Sequence, residues 1–192
     1  MFLDAALTFT GPNIGGSTAV TSALVGSIGI LDMAVGAVFN SSTVTTYTAD
    51  GLIKGNYLQT TYGQSLGDGT NPLEAIASIG TAFSGGTSLQ VFVQGAIDAS
   101  SGSYPANVSG LTWVVLEAGP VVSTAYLTAG QMIPGPNMGS SPPNLLNYRF
   151  VRFAYLPVGT FSAGNISFAA LGRFPSGIKQ MATSASGFYV GA

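Results

Sequence analysis

The sequence predicts an all-β protein, a jelly roll or related β-sandwich with long loops and an extended C-terminal tail. Three observations carry this. Turn signals recur along the whole chain: Gly11-Pro12-Asn13, Asp50-Gly51, Asp68-Gly69, Gly85-Gly86, Gly135-Pro136 and Pro142-Pro143. Short runs of β-branched and aromatic residues lie between them. Helical periodicity is nearly absent. Short strands separated by turns, without a long helix, are the pattern of a sandwich or jelly roll.

Taken in order, residues 5–10 alternate weakly, and residues 43–48 (TVTTYT) are β-branched and aromatic. The segment 72–80 (PLEAIASIG) has Leu73, Ile76 and Ile79 at spacings that also suit a short helix opened by Pro72. Its neighbours are strands, and a strand running into Phe83 is the expectation. The run 87–97 (TSLQVFVQGAI) is the clearest strand: Leu89, Val91, Val93 and Ile97 fall on one face, Gln90 and Gln94 on the other. Residues 111–116 (LTWVVL) are apolar on both faces, which predicts a central strand. In 149–156 (RFVRFAYL), Val151, Phe153 and Tyr155 oppose Phe150, Ala154 and Leu156; in 164–171 (GNISFAAL), Ile166, Phe168 and Ala170 share a face. Two segments read as irregular and exposed: 50–72, rich in Gly, Thr and Tyr, and 130–147, with Pro134, Pro136, Pro142 and Pro143. Loops of that length are usually functional or order against a partner. The tail from Phe174 to Ala192 is either frayed or an arm laid on a neighbour, with Phe188 and Tyr189 near its end.

The 192 residues include only five Lys/Arg and seven Asp/Glu, with no His and no Cys. Ser-His-Asp triads, Cys-His nucleophiles, Cys/His zinc sites and disulfides are therefore excluded. Lys54, Arg149, Arg152, Arg173 and Lys179 form no cluster, so nucleic-acid binding is not expected. The candidate membrane span, 18–39, contains Asp32, which costs about 2.5–3.5 kcal/mol at mid-bilayer. No Lys or Arg precedes Lys54, so positive flanks and the charged start of a signal peptide are missing, and no membrane association is expected. A 46% apolar content supports a real core. With a net charge of −2, little keeps copies apart, unless the surface is Ser/Thr-rich or covered by partners.

The carboxylates Asp4, Asp32, Asp50, Asp68, Glu74, Asp98 and Glu117 are isolated in sequence, and no catalytic pair is favoured. Gly67-Asp68-Gly69 lacks the rest of a phosphate loop, and Asp68 with Asn71 does not have EF-hand spacing. Asn40, Asn107 and Asn165 match the glycosylation pattern at the frequency a Ser/Thr-rich chain gives by chance. The expectation is no enzyme activity, no catalytic residue, no cofactor and no metal. Arg149 and Arg152 lie three apart, so a strand puts them on opposite faces, one at an interface or paired with an acid. Trp113, in the most apolar run, reads as core. Tyr57 and Tyr62, amid Thr and Gln, suit a protein interface or sugar stacking. The candidate interface residues are thus Arg149, Arg152, Tyr57, Tyr62, Phe188 and Tyr189.

Several segments, read in order, carry a family resemblance. They are Met1-Phe2-Leu3-Asp4, Ser27-Ile28-Gly29-Ile30-Leu31-Asp32, Gly80-Thr81-Ala82-Phe83 leading through Gly85-Gly86, Glu117-Ala118-Gly119-Pro120 and Leu127-Thr128-Ala129-Gly130-Gln131. The series ends with Tyr148-Arg149-Phe150-Val151-Arg152-Phe153-Ala154-Tyr155 and Phe161-Ser162-Ala163-Gly164-Asn165-Ile166-Ser167-Phe168. This order resembles the jelly-roll capsid cement (decoration) proteins of tailed bacteriophages. The resemblance implies one jelly-roll domain over 1–173, with insertions near 40–72, 98–110 and 134–146, and a C-terminal arm over 174–192. It further implies a structural virion protein on the outer surface of an icosahedral head, bridging capsomers of the major capsid protein and stabilising the shell. The implied partners are that protein and further copies of this chain, as a homotrimer before a dimer. Two other readings stand beside it: another virion β-protein, such as a capsid protomer, tail or fibre component, or a carbohydrate-binding β-sandwich using Tyr57, Tyr62 and Trp113.

Overall fold

The β-branched and aromatic runs fold into antiparallel strands. A computed structural model describes residues 8–14, 16–32, 37–41, 74–96, 111–137, 148 and 150–172. Among them the strands are β1 (Thr8–Thr10), β2 (Thr18–Ala19), β3 (Val25–Gly26), β4 (Gly29–Asp32), β5 (Ala37–Asn40), β6 (Glu74–Ser84), β7 (Ser88–Ala96), β8 (Trp113–Ser123), β9 (Met132–Asn137), β10 (Phe150–Val158) and β11 (Ala163–Gly172). One sheet runs β1-β11-β6-β9, with β2 beside β1 on the same flank of β11; the other runs β5-β4-β10-β7-β8, with β3 beside β4 on the same flank of β10. The chain is an all-β sandwich of two antiparallel sheets.

Period-2 alternation explains the core. Leu89, Val91 and Val93 of β7 and Val151, Phe153 and Tyr155 of β10 all join it, as the sequence predicts. Phe9 of β1 and Phe153 of β10 meet edge to face across the two sheets, with ring centroids 4.9 Å apart. Phe83 meets Phe161 in the same way at 5.0 Å. Short turns close one end of the sandwich. Gly85-Gly86 links β6 to β7, and Thr87 N–H donates to Val158 O, tying that link to the end of β10. Phe161 N–H donates to Thr21 O across a neighbouring pair of turns. The Gly11-Pro12-Asn13 signal also holds: Pro12–Ile14 is a 3-10 turn bracketed by a Gly11–Gly16 bridge.

Some expectations are corrected. The segment 111–116 is not central. β8 is the last strand of its sheet, and most of its side chains are exposed, although Leu116 and Val122 pack against the core. The segment 130–147 is not irregular at its start, nor is its 134–146 part wholly an insertion, since β9 pairs Ile133 with Ala77 and Pro134 with Ile76. Gly135-Pro136 lies inside this strand and is not a turn. Proline lacks the N–H a central strand needs, but β9 is an edge, where that donor is dispensable. In β11 the even alternation breaks. Ile166 pairs with Ile79 and Phe168 with Ser78, so Ser167 is an extra residue, and the core face passes from Ile166 to Ala169 and Leu171. Phe168, expected beside Ile166, is therefore half-buried. Gln94 lies on the face opposite Leu89, Val91 and Val93, as expected, and is buried there.

The helical alternative for 72–80 is excluded from Glu74 onward, which is strand. The described parts of 18–39 form β2 to β5, and no helix among the described residues is long and apolar enough to cross a membrane. The strand expected at 43–48 lies outside the described residues.

Candidate protein-binding face

β10 alternates strictly. With Val151, Phe153 and Tyr155 committed to the core, Arg152 must project from the outward face of the six-stranded sheet. Register continues the row: Arg152 stands opposite Gln94 on β7, and Gln94 opposite Val115 on β8. The preceding row is Phe150, Ala96 and Trp113. Here Ile30, Ala96 and Phe150 make a second, small apolar cluster against which Leu111 and Trp113 pack. Trp113, expected in the core, packs half-buried against this second core cluster.

Three contacts hold Arg152. Its Nε–H donates to Gln94 Oε1 at 2.9 Å, which also accounts for the burial of that glutamine. Its Cζ lies 4.1 Å from the centroid of the Trp113 ring, a cation–π contact. Gly26 of β3 leaves the space the guanidinium occupies: a Cβ there would come within 2.5 Å of Nη1. Burial lowers the Arg152 pKa to about 10, so the group remains cationic at neutral pH. Burial is the cause of this shift. Glu117 on β8 stands opposite the core residue Val93, hence on the other face.

Next to Arg152 the outward face is apolar and open. Val115 and Val121 of β8 are 51% and 62% exposed. Val121 continues a row with Gln90 and Leu156, and Gln90 Nε2 donates to Gly119 O, so that amide is already satisfied. An outward sheet face is ordinarily polar. The backbone edge of β8 is less available than its side chains. Pro120 removes a donor, and the ladder to β7 is broken by two register shifts. A partner would thus meet apolar side chains around one guanidinium, not an open strand edge.

Of the residues predicted from sequence for an interface, the structure describes Arg152 alone; Arg149, Tyr57, Tyr62, Phe188 and Tyr189 lie outside the described residues. Among the described residues no group of three or more Asp/Glu stands together, and no buried side-chain nitrogen or oxygen lacks a hydrogen-bond partner. The sequence reading missed Val115, Val121 and the role of Trp113. The signal was present: Glu117, Gly119 and Pro120 interrupt the apolar run, as suits an edge strand. No model of a known protein family matches the chain, and no curated protein matches it.

Proposed function

We propose that this protein is a capsid cement (decoration) protein. It binds the outside of an icosahedral bacteriophage head, bridges capsomers of the major capsid protein and braces the shell, working as a homotrimer without catalytic chemistry. The observation that carries the reading is strand order. Treating β1/β2 and β3/β4 each as one interrupted strand leaves β5 as an extra edge hairpin and gives two four-stranded sheets. The first and last strands are then neighbours, and successive strands cross between sheets, with one β7–β8 hairpin inside a sheet. That order supports a jelly roll, an architecture common in viral capsid domains. It agrees with the ordered resemblance of the motifs.

The outward face supports the same role. Apolar side chains and a single held guanidinium suit a surface meant to be covered. Binding through such contacts depends less on salt than binding through surface ion pairs, which contribute about 0–1 kcal/mol each. Purified protein mixed with heads assembled without it should co-sediment with them and raise their resistance to heat or osmotic shock. Light scattering should give the mass of three chains. Failure to bind heads would remove the reading. Copy number separates it from another virion β-protein: hundreds per particle place it on the head, a few in the tail.

A further inference from the structure

We infer that the β8 edge is built to refuse strand pairing with the β8 edge of a second copy of this chain, and that Glu117 and Pro120 enforce the refusal. The inference does not depend on the capsid reading. A strand edge presents unpaired N–H and C=O groups and acts as a template for another strand. Among the described residues the edge strands β1, β2, β3 and β5 have two to four residues each, β9 has six and β8 has eleven. The short edges offer few bonds. β9 carries Pro134 and Pro136, which have no N–H to donate. β8 is the long edge, and Val114, Val115 and Val121 on it are exposed. With a net charge of −2 on 192 residues, little general repulsion keeps two such edges apart.

The protection is therefore local. Pairing of β8 with β7 is regular only over 113–115, 117–118 and 121–123. Leu116, and then Gly119 with Pro120, interrupt the register between these stretches. Such interruptions bend a strand and spoil a straight second ladder. Pro120 has no N–H to offer that ladder. Glu117 is exposed, is the one charged residue of β8, and stands next to the strand's midpoint at Ala118. Two β8 strands related by a two-fold axis would pair antiparallel. In the register of full overlap each Glu117 is then a diagonal neighbour of the other, about 7–8 Å away. That is within the distance at which exposed like charges still repel in physiological salt. Copies of the chain therefore meet through side chains and not by continuing the sheet across β8.

Glu117→Val, Pro120→Val and the double variant are compared with wild type by sedimentation velocity over a range of concentrations, after circular dichroism has shown which are folded. The double variant should reach about twice the wild-type mass, and Glu117→Val alone should show part of that association. Glu117→Gln, the mildest change at this exposed position, serves if the double variant fails to fold, and it should associate more than wild type. Amide hydrogen exchange locates the contact: β8 N–H groups that exchange freely in wild type should be slowed in the associated variant.

A folded double variant that keeps the wild-type mass at every concentration overturns the inference. So does Glu117→Gln with the wild-type mass where the double variant is unfolded, and so does association that leaves exchange in β8 unchanged. The test uses no phage particle, so its outcome is separate from that of the head-binding assay.

Discussion

Replacing Phe153 with Ala tests how the two sheets are held together. Phe153 is fully buried in β10, and its ring meets Phe9 of β1 edge to face at 4.9 Å and 64°, joining one sheet to the other. Removing most of a phenyl group that buries about 150 Å², at about 25 cal/mol per Å², gives a loss of about 4 kcal/mol. That lies within the range of about 3–5 kcal/mol typical of buried Phe→Ala changes. For a chain of this size, each kcal/mol lowers Tm by about 2–4 °C, so a fall of roughly 6–20 °C is expected. Urea titration followed by far-UV circular dichroism should show a lower midpoint with an unchanged slope, because the surface exposed on unfolding hardly changes. A double-mutant cycle with Phe9→Leu and Phe153→Leu should return a coupling of about 0.5–1.5 kcal/mol, the usual value for such a pair. A loss below about 1 kcal/mol for Phe153→Ala would refute the placement of this ring between the sheets.

Other perturbations follow from the same structure. Tyr155 is fully buried and its pKa is raised by burial, so the unfolded chain ionises there first, and stability should fall as pH rises above about 10, by about 1.4 kcal/mol per pH unit. Tyr155→Phe should remove that part of the alkaline decline, measured by urea midpoints across pH; an identical decline would contradict it. Arg152 has the opposite sign: its pKa is lowered, so its burial penalty is fully present below about 10 and is relieved as pH rises above that. Arg152→Gln should therefore remove a stabilising alkaline slope. Gly164 has φ +140°, and a Cβ there would run into the Phe83 ring. Gly164→Ala should cost roughly 1–3 kcal/mol in thermal melts, and a neutral result would contradict that geometry. Val121→Lys, at an exposed position, should leave stability within about 0.5 kcal/mol yet weaken head binding in the sedimentation assay.

Where the sequence was legible, one face of a strand was committed to the core and the ladder was regular. The ladder between β7 and β10 is regular and one face of each strand is committed to the core, and their alternation read directly as structure. β11 meets the first condition only. The extra residue at Ser167 shifts its phase, and no local signal distinguishes GNISFAAL with a bulge from the same run without one. β9 was hidden because Pro134 and Pro136 are turn formers in most settings, and only its place at the sheet edge makes them tolerable. β8 misled for the opposite reason. An apolar run on both faces is the mark of a buried strand, but here Val114 and Val115 are exposed while Leu111, Trp113 and Leu116 are only partly buried. At the candidate face, the outward direction of Arg152 follows from its position between Val151 and Phe153. Its contact with Trp113 does not, because β7 lies between the two strands and brings the residues together only once the sheet has formed. The scarcity of charge was the most useful feature at the start, and the structure adds a location to it: β8 and the outward rows beside Arg152.

A density map of the phage particle proposed to carry this chain tests the central claim most directly. The account predicts two-sheet density on the outer surface of the head, in many copies at local symmetry axes, with the outward face of β8 and β10 turned toward the major capsid protein. Density for the chain confined to the tail, or no density on the head, would contradict it.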